Sequence, residues 1–178
     1  MKPLIDKVSR EDLLRELTPE RFVRFTNFGH NEIYIFRGDD APSVMLEIGR
    51  LREIAFREAG GGTGESVDID EFDEGPDAYF QLIVWNPLEQ EIIGGYRYIK
   101  LKDTHPDEHG HYHLATTHMF RFSEKFMDEY FHDTIELGRS FVQPQYQPSR
   151  DSRKGIFSLD NLWDGLGGLI IMHPDIKY

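Results

Sequence analysis

The fold is decided by residues 78–101, which read AYFQLIVWNPLEQEIIGGYRYIKL. Residues 78–85 are apolar on both alternating faces except at Gln81, a pattern typical of a central strand that is covered on both sides. Asn86 and Pro87 form a turn signal, and residues 91–101 resume the alternation of a strand. The segment therefore predicts a β-hairpin at the centre of a sheet.

Helical and strand patterns continue on both sides of this hairpin. Ser9 begins a capping-box pattern and Thr18-Pro19 restarts a helix, so helices are predicted over about 9–28. The other predicted elements are a strand at 31–36, a helix at 43–58, a helix bearing Met119, Phe122, Phe126 and Tyr130, a strand at 134–142, a polar loop at 144–155 and a helix capped by Ser158. This order predicts a single α/β domain over residues 1–178, with a mixed central sheet and helices on both faces.

The charge and the composition exclude several classes of protein. With 20 Lys and Arg against 32 Asp and Glu, the net charge of −12 repels nucleic acid, so no nucleic-acid partner is expected. The chain has no cysteine, which excludes a disulfide scaffold, a thiolate zinc site and a cysteine nucleophile. No segment reaches the ~18–20 apolar residues of a membrane span, and the N-terminus does not resemble a secretory signal. We therefore expect a cytoplasmic protein.

Five histidines lie close together in the sequence, at His105, His109, His111, His113 and His118. Two of them, His111 and His113, would point the same way on a strand, as metal ligands do. No carboxylate is spaced to complete such a site, and Pro106 and Gly110 are typical of a loop. We expect a surface loop here and no metal.

Charged residues occur where strand alternation predicts a covered face. Arg97 shares its predicted face with Ile93 and other apolar residues. Glu136 shares its predicted face with Ser140 and Val142. Because an unpaired charge on a covered strand costs several kcal/mol, two interpretations follow. One is an internal Arg97–Glu136 ion pair that only joins the strands, and the other is a charged pocket between them.

A β-bulge would bring further charges into this pocket. Glu136 and Arg139 are three residues apart, which puts them on opposite faces of a regular strand. A bulge at Gly138 would aim both side chains at the same cleft. On the predicted helix, Arg52 and Phe56 are four residues apart and share one face.

Four motifs, in this order, resemble two related groups of acyltransferases. They are Arg52-x-x-x-Phe56, Asp70-x-x-Asp73, Gly94-Gly95-Tyr96-Arg97 and Glu136-x-x-Arg139. The groups are the acyl-homoserine-lactone synthases and the bacterial N-acyl amino acid synthases, the ornithine- and glycine-lipid N-acyltransferases often labelled as hemolysins. Residues 140–146 also resemble the V-x-P-x-Y strand end that leads into the cofactor loop of the GNAT fold. The likeness covers roughly residues 44–169 and is greatest for the N-acyl amino acid synthases.

The resemblance implies a GNAT-like fold and an acyl transfer in aminolipid synthesis. A (3-hydroxy) fatty acyl group would pass from the phosphopantetheine of acyl carrier protein, or from acyl-coenzyme A, to the amine of an amino acid such as glycine or ornithine. No permanently bound cofactor is implied. The expected partners are acyl carrier protein and the small amino acid acceptor, with peripheral contact at the inner face of the membrane for the product.

Two departures from the family pattern affect these expectations. The usual Arg/Gln-x-x-Gly-x-Gly/Ala loop is replaced at 147–155 by QPSRDSRKG, which lacks the glycine-rich cradle for a coenzyme A diphosphate. Residues 173–178, HPDIKY, resemble the entry to another strand. We therefore expect a fragment that lacks the C-terminal strands of the family.

The chemistry of amine acylation suggests roles for the motif residues. Glu136 is the candidate base, directly or through a water, and its alternative role is structural pairing with Arg139. Arg97 would pair with Asp70 or Asp73, or hold the carboxylate of the acceptor. Arg52, Phe56, Asp70 and Asp73 are the remaining candidates for the substrate site.

Donor binding is assigned to the end of the strand at 134–142 and to the loop that follows it. Backbone N–H groups of residues 138–142, including Phe141 and Val142, are candidates to hold the thioester oxygen. Arg150, Arg153 and Lys154 are candidates to meet the phosphopantetheine phosphate or the acidic carrier protein, although such charges more often lie on a solvated loop. Two alternatives stay open: a non-catalytic GNAT-like binding module, and an autoinducer synthase that uses S-adenosylmethionine as acceptor.

Overall fold

The computed structural model describes residues 1–147 and 155–178. Its helices are α1 (Arg10–Glu16), α2 (Pro42–Glu58), α3 (Glu124–Glu129) and α4 (Ser158–Met172). Its strands are β1 (Phe22–Phe25), β2 (Glu32–Arg37), β3 (Phe80–Asn86), β4 (Glu91–Lys100) and β5 (Ile135–Val142). Most of the loop predicted at 144–155, including Arg150, Arg153 and Lys154, lies outside the described residues.

The predicted central hairpin is confirmed. The five strands form one sheet in the order β1-β2-β3-β4-β5, with β3 in the middle and β5 at one edge. The turn between β3 and β4 begins at Asn86, whose side-chain oxygen accepts from the backbone N–H groups of Leu88 and Glu89 at 3.0 and 3.2 Å. All four strand pairings are antiparallel, so the described strands contain no parallel pair of the kind that a mixed sheet has.

The helices cover both faces of the sheet, which confirms the predicted α/β class. On one face, α1 and α2 pack against β2 and β3, and the predicted helical stripe of α2 (Val44, Ile48, Leu51 and Ala55) is buried there. On the other face, α4 packs through Leu162 and Leu169 against side chains of β2, β3 and β4. No helix in the described part of the chain is long and apolar enough to cross a bilayer.

The N-terminal helical prediction is correct for α1 and wrong beyond it. The Ser9 side chain accepts from the Asp12 N–H and caps α1, as predicted. Pro19 starts only a short 3-10 turn, and residues 22–25 form β1. The reason lies in the tertiary structure. Residues 22–25 pair antiparallel with β2, and this pairing gives their backbone groups hydrogen-bond partners in the sheet.

The helix predicted from the stripe Met119 to Tyr130 is shorter than expected. Residues 115–118 form a separate 3-10 turn, and the cap of α3 is Ser123, whose side chain accepts from the Phe126 N–H. Phe122 and Phe126 pack against the buried ring of Phe131 in a third apolar cluster at the end of the sheet. This packing accounts for Phe122 and Phe126 without a continuous helix, whereas Met119 is exposed.

The predictions around α4 are partly wrong. The helix forms as expected, but Ser158 is its first residue and not its cap, because its hydroxyl donates to the Tyr146 carbonyl at 2.8 Å. Residues 173–178, which were predicted to begin another strand, do not form a strand. Their last residue nevertheless lies beside β5, where the Ile135 N–H donates to the Tyr178 carbonyl at 2.9 Å.

Gly49 lets α2 approach the acidic segment 68–73 closely. A Cβ at this position would lie 2.7 Å from Ile69 Cγ1 and 3.3 Å from the Asp68 carbonyl oxygen. We expect Gly49→Ala to lower the free energy of unfolding by about 1–3 kcal/mol, because the segment would have to move away from the helix. Denaturant unfolding of the purified protein measures the change.

Gly167 in α4 provides the matched control, since a Cβ there would meet nothing within 4 Å. Gly167→Ala should raise the free energy of unfolding by up to about 1 kcal/mol through helix propensity. Equal shifts in the two variants would contradict the role given to Gly49.

Candidate active site

A buried carboxylate, Asp73, lies where α2, β3 and β4 meet. Arg52 Nη1 and Gln81 Nε2 both donate to Asp73 Oδ1 at 2.9 Å, and Arg97 Nη1 donates to Oδ2 at 3.0 Å. Arg52 Nη2 also donates to Gln81 Oε1 at 2.7 Å. All four side chains are buried, so these bonds supply the partners that a charge inside a protein requires.

The same network continues toward the surface through Asp70. Its two carboxylate oxygens accept from Arg97 at 2.5 and 3.0 Å, and Oδ2 also accepts from Arg139 Nη2 at 3.2 Å. Burial alone would raise the pKa of Asp70, but the hydrogen bonds and charge of Arg97 outweigh it and lower the pKa. The hydrogen bonds and charges of Asp70 and Asp73 raise the pKa of Arg97, although its burial acts in the opposite direction. Both groups are therefore held in the charged form.

Asp68 completes the network at its other end. Arg139 Nη2 lies 3.2 Å from Asp68 Oδ1. Burial raises the pKa of Asp68, although the charges of Arg139 and Arg52 act in the opposite direction. Arginine and aspartate thus alternate in the order Arg52, Asp73, Arg97, Asp70, Arg139 and Asp68, and the formal charges cancel.

Phe72 anchors the acidic segment to the body of the protein. The residue is 3% exposed, and its ring lies 5.4 Å from the ring of Tyr79. The guanidinium of Arg97 lies over both rings, 5.2 Å from Phe72 and 5.4 Å from Tyr79. The two rings therefore contact the face of the Arg97 guanidinium, while Asp70 and Asp73 accept its hydrogen bonds.

A bulge forms in β5 as predicted, but at Arg139 and Ser140 and not at Gly138, and Arg139 is its left-handed residue with φ 52°. Between the pairs Gly95–Phe141 and Arg97–Gly138, one residue of β4, Tyr96, opposes two residues of β5, Arg139 and Ser140. The bulge leaves Glu136 and Gly138 on the Arg97 side and brings the Arg139 guanidinium to the same side.

The bulge also corrects the predicted face of two residues. Ser140 and Val142 were expected beside Glu136, but Val142 packs in the α4 core and Ser140 lines a cavity below that helix. A second irregularity in β4 moves Ile93 away from Arg97 in the same manner, because the register shifts between Trp85 and Val84. Ile93 therefore packs against the α4 side of the sheet.

Glu136 lies beside the network but is not paired with it. Its Oε1 accepts from the Tyr79 hydroxyl at 2.8 Å and from the Thr116 N–H at 3.3 Å. Its Oε2 is buried and has no hydrogen-bond partner among the described residues. No ion pair within the described ranges joins Glu136 to Arg97 or Arg139, so the interpretation as an internal Arg97–Glu136 pair is wrong.

Comparison with known proteins identifies the family of the chain. The model of the acetyltransferase (GNAT) domain matches residues 51–153, a range that contains the Arg52 to Arg139 network. The chain belongs to the GNAT acetyltransferase domain family. No solved structure matches it.

Two curated relatives align with the GNAT chain over its whole length. They are the glycine N(alpha)-acyltransferases of Phocaeicola vulgatus and Bacteroides thetaiotaomicron, which are 56% and 57% identical to it over 178 residues. The alignment covers 55% and 53% of those proteins. The chain thus spans about half the length of the curated relatives it matches.

The remaining residues predicted for the site are distributed over the GNAT domain. Arg52 is in the buried network, whereas Phe56 packs against the core beneath α2. Phe141 points into that same core and Val142 into the opposite one, so only their backbone faces the edge of β5. The structure does not describe Arg150, Arg153 or Lys154.

Sequence reasoning missed three polar groups of the GNAT site. Asp68 and Gln81 are buried partners of the network, and the Tyr79 hydroxyl holds Glu136. The signal for Gln81 was present, since it is the one polar residue inside an apolar central strand. The rings of His113 and His118, from the histidine-rich loop, lie 4.6 and 5.3 Å from Phe72.

The lowered pKa of Asp70 predicts a pH-dependent contribution to stability. A carboxyl whose pKa is lower in the folded state stabilises the protein above its ordinary value of about 4, and this contribution is lost as the pH falls through the folded value. Asp70→Asn should therefore be less stable than the wild type at pH 7, with a difference that closes progressively below about pH 4.

Urea unfolding of both proteins across this pH range measures the difference. Asp128→Asn, on the exposed side of α3, controls for the removal of one negative charge. A difference between wild type and Asp70→Asn that stays constant with pH would contradict the assigned charge state.

Proposed function

We propose that this protein is an N-acyltransferase that moves a fatty acyl group, such as a 3-hydroxy fatty acyl group, from acyl carrier protein to the amine of a small amino acid. The proposed acceptors are glycine and ornithine, and the product would serve aminolipid synthesis. The observation that carries the proposal is Glu136, whose buried Oε2 has no hydrogen-bond partner among the described residues, on the strand that carries Arg139 and pairs with the Arg97 strand. The names of the two curated relatives support glycine as acceptor.

The proposed reaction needs one base and one leaving thiol. Glu136 Oε2, directly or through a water, takes a proton from the acceptor's ammonium, and the free amine attacks the thioester carbon. A C–N bond forms and the C–S bond breaks. The phosphopantetheine sulfur leaves as a thiolate and takes the second proton of the amine to become the thiol. The Tyr79 hydroxyl and the Thr116 N–H keep the Glu136 carboxylate in place.

Backbone groups of β5 are the proposed donors to the thioester oxygen. β5 is the edge strand of the described sheet, and its Ile135 N–H points outward, because it donates to the Tyr178 carbonyl and not to β4. Strand alternation and the bulge at Arg139 then direct further N–H groups of residues 138–142 to the same edge. Fixed backbone donors of this kind stabilise the charge that develops on a thioester oxygen.

The donor is proposed to be acyl carrier protein in preference to coenzyme A. The sequence at 147–155 lacks a glycine-rich cradle for the diphosphate that coenzyme A carries and a carrier arm does not. Its three basic residues are a local exception in a chain of net charge −12. An acidic carrier protein would be steered to such a patch. Peripheral contact with the inner face of the membrane, which would receive the product, is part of the same proposal.

The first test of the proposal replaces the base. Glu136→Gln keeps the shape of the side chain and an acceptor for Tyr79 and Thr116, so the protein should fold while the rate of transfer to glycine falls by ~10²-fold or more. Product formation is followed by mass spectrometry of the acylated amino acid. The same measurement on lipids of an expressing host identifies the acceptor and the acyl chain.

Glu32→Gln is the matched control for this variant. Glu32 is also a strand glutamate that accepts from a tyrosine hydroxyl, that of Tyr34 at 2.8 Å, but it lies on β2 away from the network. Its transfer rate should stay within about twofold of the wild type. An unchanged rate in folded Glu136→Gln would remove Glu136 from the mechanism.

The second test compares donors. The carrier-protein thioester should react faster than the coenzyme A thioester, and its advantage should shrink with salt because the Debye length is only ~8 Å at physiological ionic strength. Reversing the charges of Arg150, Arg153 and Lys154 should slow the carrier-protein reaction alone. A faster coenzyme A reaction, or a carrier-protein rate that the reversal leaves unchanged, would show that the donor assignment is wrong.

A further inference from the structure

Three polar atoms without partners lie near Gly138 on the Arg97 side of the sheet. They are Glu136 Oε2, Arg97 Nε and Arg139 Nε, which are buried and make no hydrogen bond within the described ranges. Buried polar atoms are paired in the great majority of cases, so three exceptions on two adjacent strands need an explanation. Two are N–H donors and one is a carboxylate oxygen, which is the complement of a molecule that carries both an anion and an amine.

Gly138 places no side chain of its own between these atoms. A Cβ at this position would have as its nearest neighbours Arg97 Nε at 3.7 Å and Arg97 Cγ at 3.8 Å, both ordinary contact distances. Side chains two residues apart on a strand are about 6.5–7 Å apart, so Glu136 and the bulge at Arg139 flank a short stretch of bare backbone. That stretch is of the size of a small α-amino acid.

Of the arginines in the network, Arg139 is the one that a soluble carboxylate can reach. Arg97 is 3% exposed and both of its Nη atoms are bound to Asp70 and Asp73. The Arg139 side chain is 34% exposed, and its ion pairs with Asp68 and Asp70 both use Nη2. Its Nη1, which forms no ion pair with the described residues, can therefore donate a charge-assisted hydrogen bond to a carboxylate.

We propose that Arg139 binds the carboxylate of the amino acid acceptor and that Gly138 forms the floor of this subsite. The acceptor's amino group then lies toward Glu136 Oε2, at the other end of the same strand segment. This inference rests on the proposed function and deepens it, because it names the zwitterionic α-amino acid as the species that the site recognises. It also separates the two arginines: Arg97 holds the acidic segment, and Arg139 selects the acceptor.

The test compares glycine with glycinamide as acceptors, using the purified protein and acyl carrier protein loaded with a long acyl chain. Glycinamide keeps the amino group and replaces the carboxylate by a neutral amide. In the wild type, kcat/KM should favour glycine by about 10- to 100-fold, the range expected for hydrogen bonds to a charged group. Arg139→Gln should lose this preference. Its kcat/KM for glycine should fall, whereas its kcat/KM for glycinamide should stay within about twofold of the wild type.

Two further variants make the test specific. Arg15→Gln removes an exposed arginine that also pairs with carboxylates, on α1 and far from β5, and should keep the wild-type preference. Gly138→Ala should fold normally, since its Cβ meets only ordinary contacts, yet raise the KM for glycine at least about fivefold by filling the floor. This variant and the wild-type comparison stay informative if Arg139→Gln does not fold.

The outcomes separate this inference from the function on which it rests. Equal wild-type rates with the two amines, equal losses of both in Arg139→Gln, or an unchanged KM in Gly138→Ala would overturn the subsite while leaving acyl transfer in place. No transfer to either amine from any thioester would overturn the proposed function, and the subsite with it.

Discussion

A single buried carboxylate, Asp73, joins the elements from which the site is built. It accepts hydrogen bonds from Arg52 on α2, Gln81 on β3 and Arg97 on β4, and all of these groups are almost completely inaccessible to water. Removing one partner of such a network leaves a charge buried without compensation, which typically costs 3–5 kcal/mol. The helix, the hairpin and the acidic segment are therefore held in one arrangement, and the more exposed Asp70 is positioned by it.

The bulge in β5 is the second constraint, and it depends on the first. A left-handed residue other than glycine costs of order 1–3 kcal/mol, and Arg139 adopts this conformation while its guanidinium pairs with Asp68 and Asp70. The electrostatic network thus offsets a local backbone strain. In return, Glu136 and Arg139 come to one side of a strand whose regular alternation would have separated them. The proposed base and the proposed carboxylate-binding group thus lie on the same short segment.

The two faces of β5 differ sharply in chemistry. One carries the charged groups, whereas the other contributes Leu137 and Ser140 to apolar cavities beneath α4 of about 300 and 570 Å³. Gly138 belongs to both sides, because it lines the smaller cavity and also lies next to Arg97. The acyl chain of a thioester is apolar and an amine acceptor is charged, so the two differ in polarity as these two faces do. The edge strand is the element at which both kinds of surface meet, which agrees with the place given to the transfer reaction.

The sequence by itself determined the elements whose signals are local or periodic. The apolar run before Asn86 predicts a central strand, the four-residue stripe predicts α2, and the Ser9 cap predicts the start of α1. It also indicated that the charges of β4 and β5 needed partners, because a charge on a covered strand is too costly to leave alone. Only the tertiary structure decided which partners they have. Pairing of β1 with β2 replaced a predicted helix, and two register shifts changed the faces of Ile93, Ser140 and Val142. Asp68, Gln81 and Tyr79 joined the site through contacts between residues distant in the chain, since neither their order nor their spacing encodes which side chains meet in space.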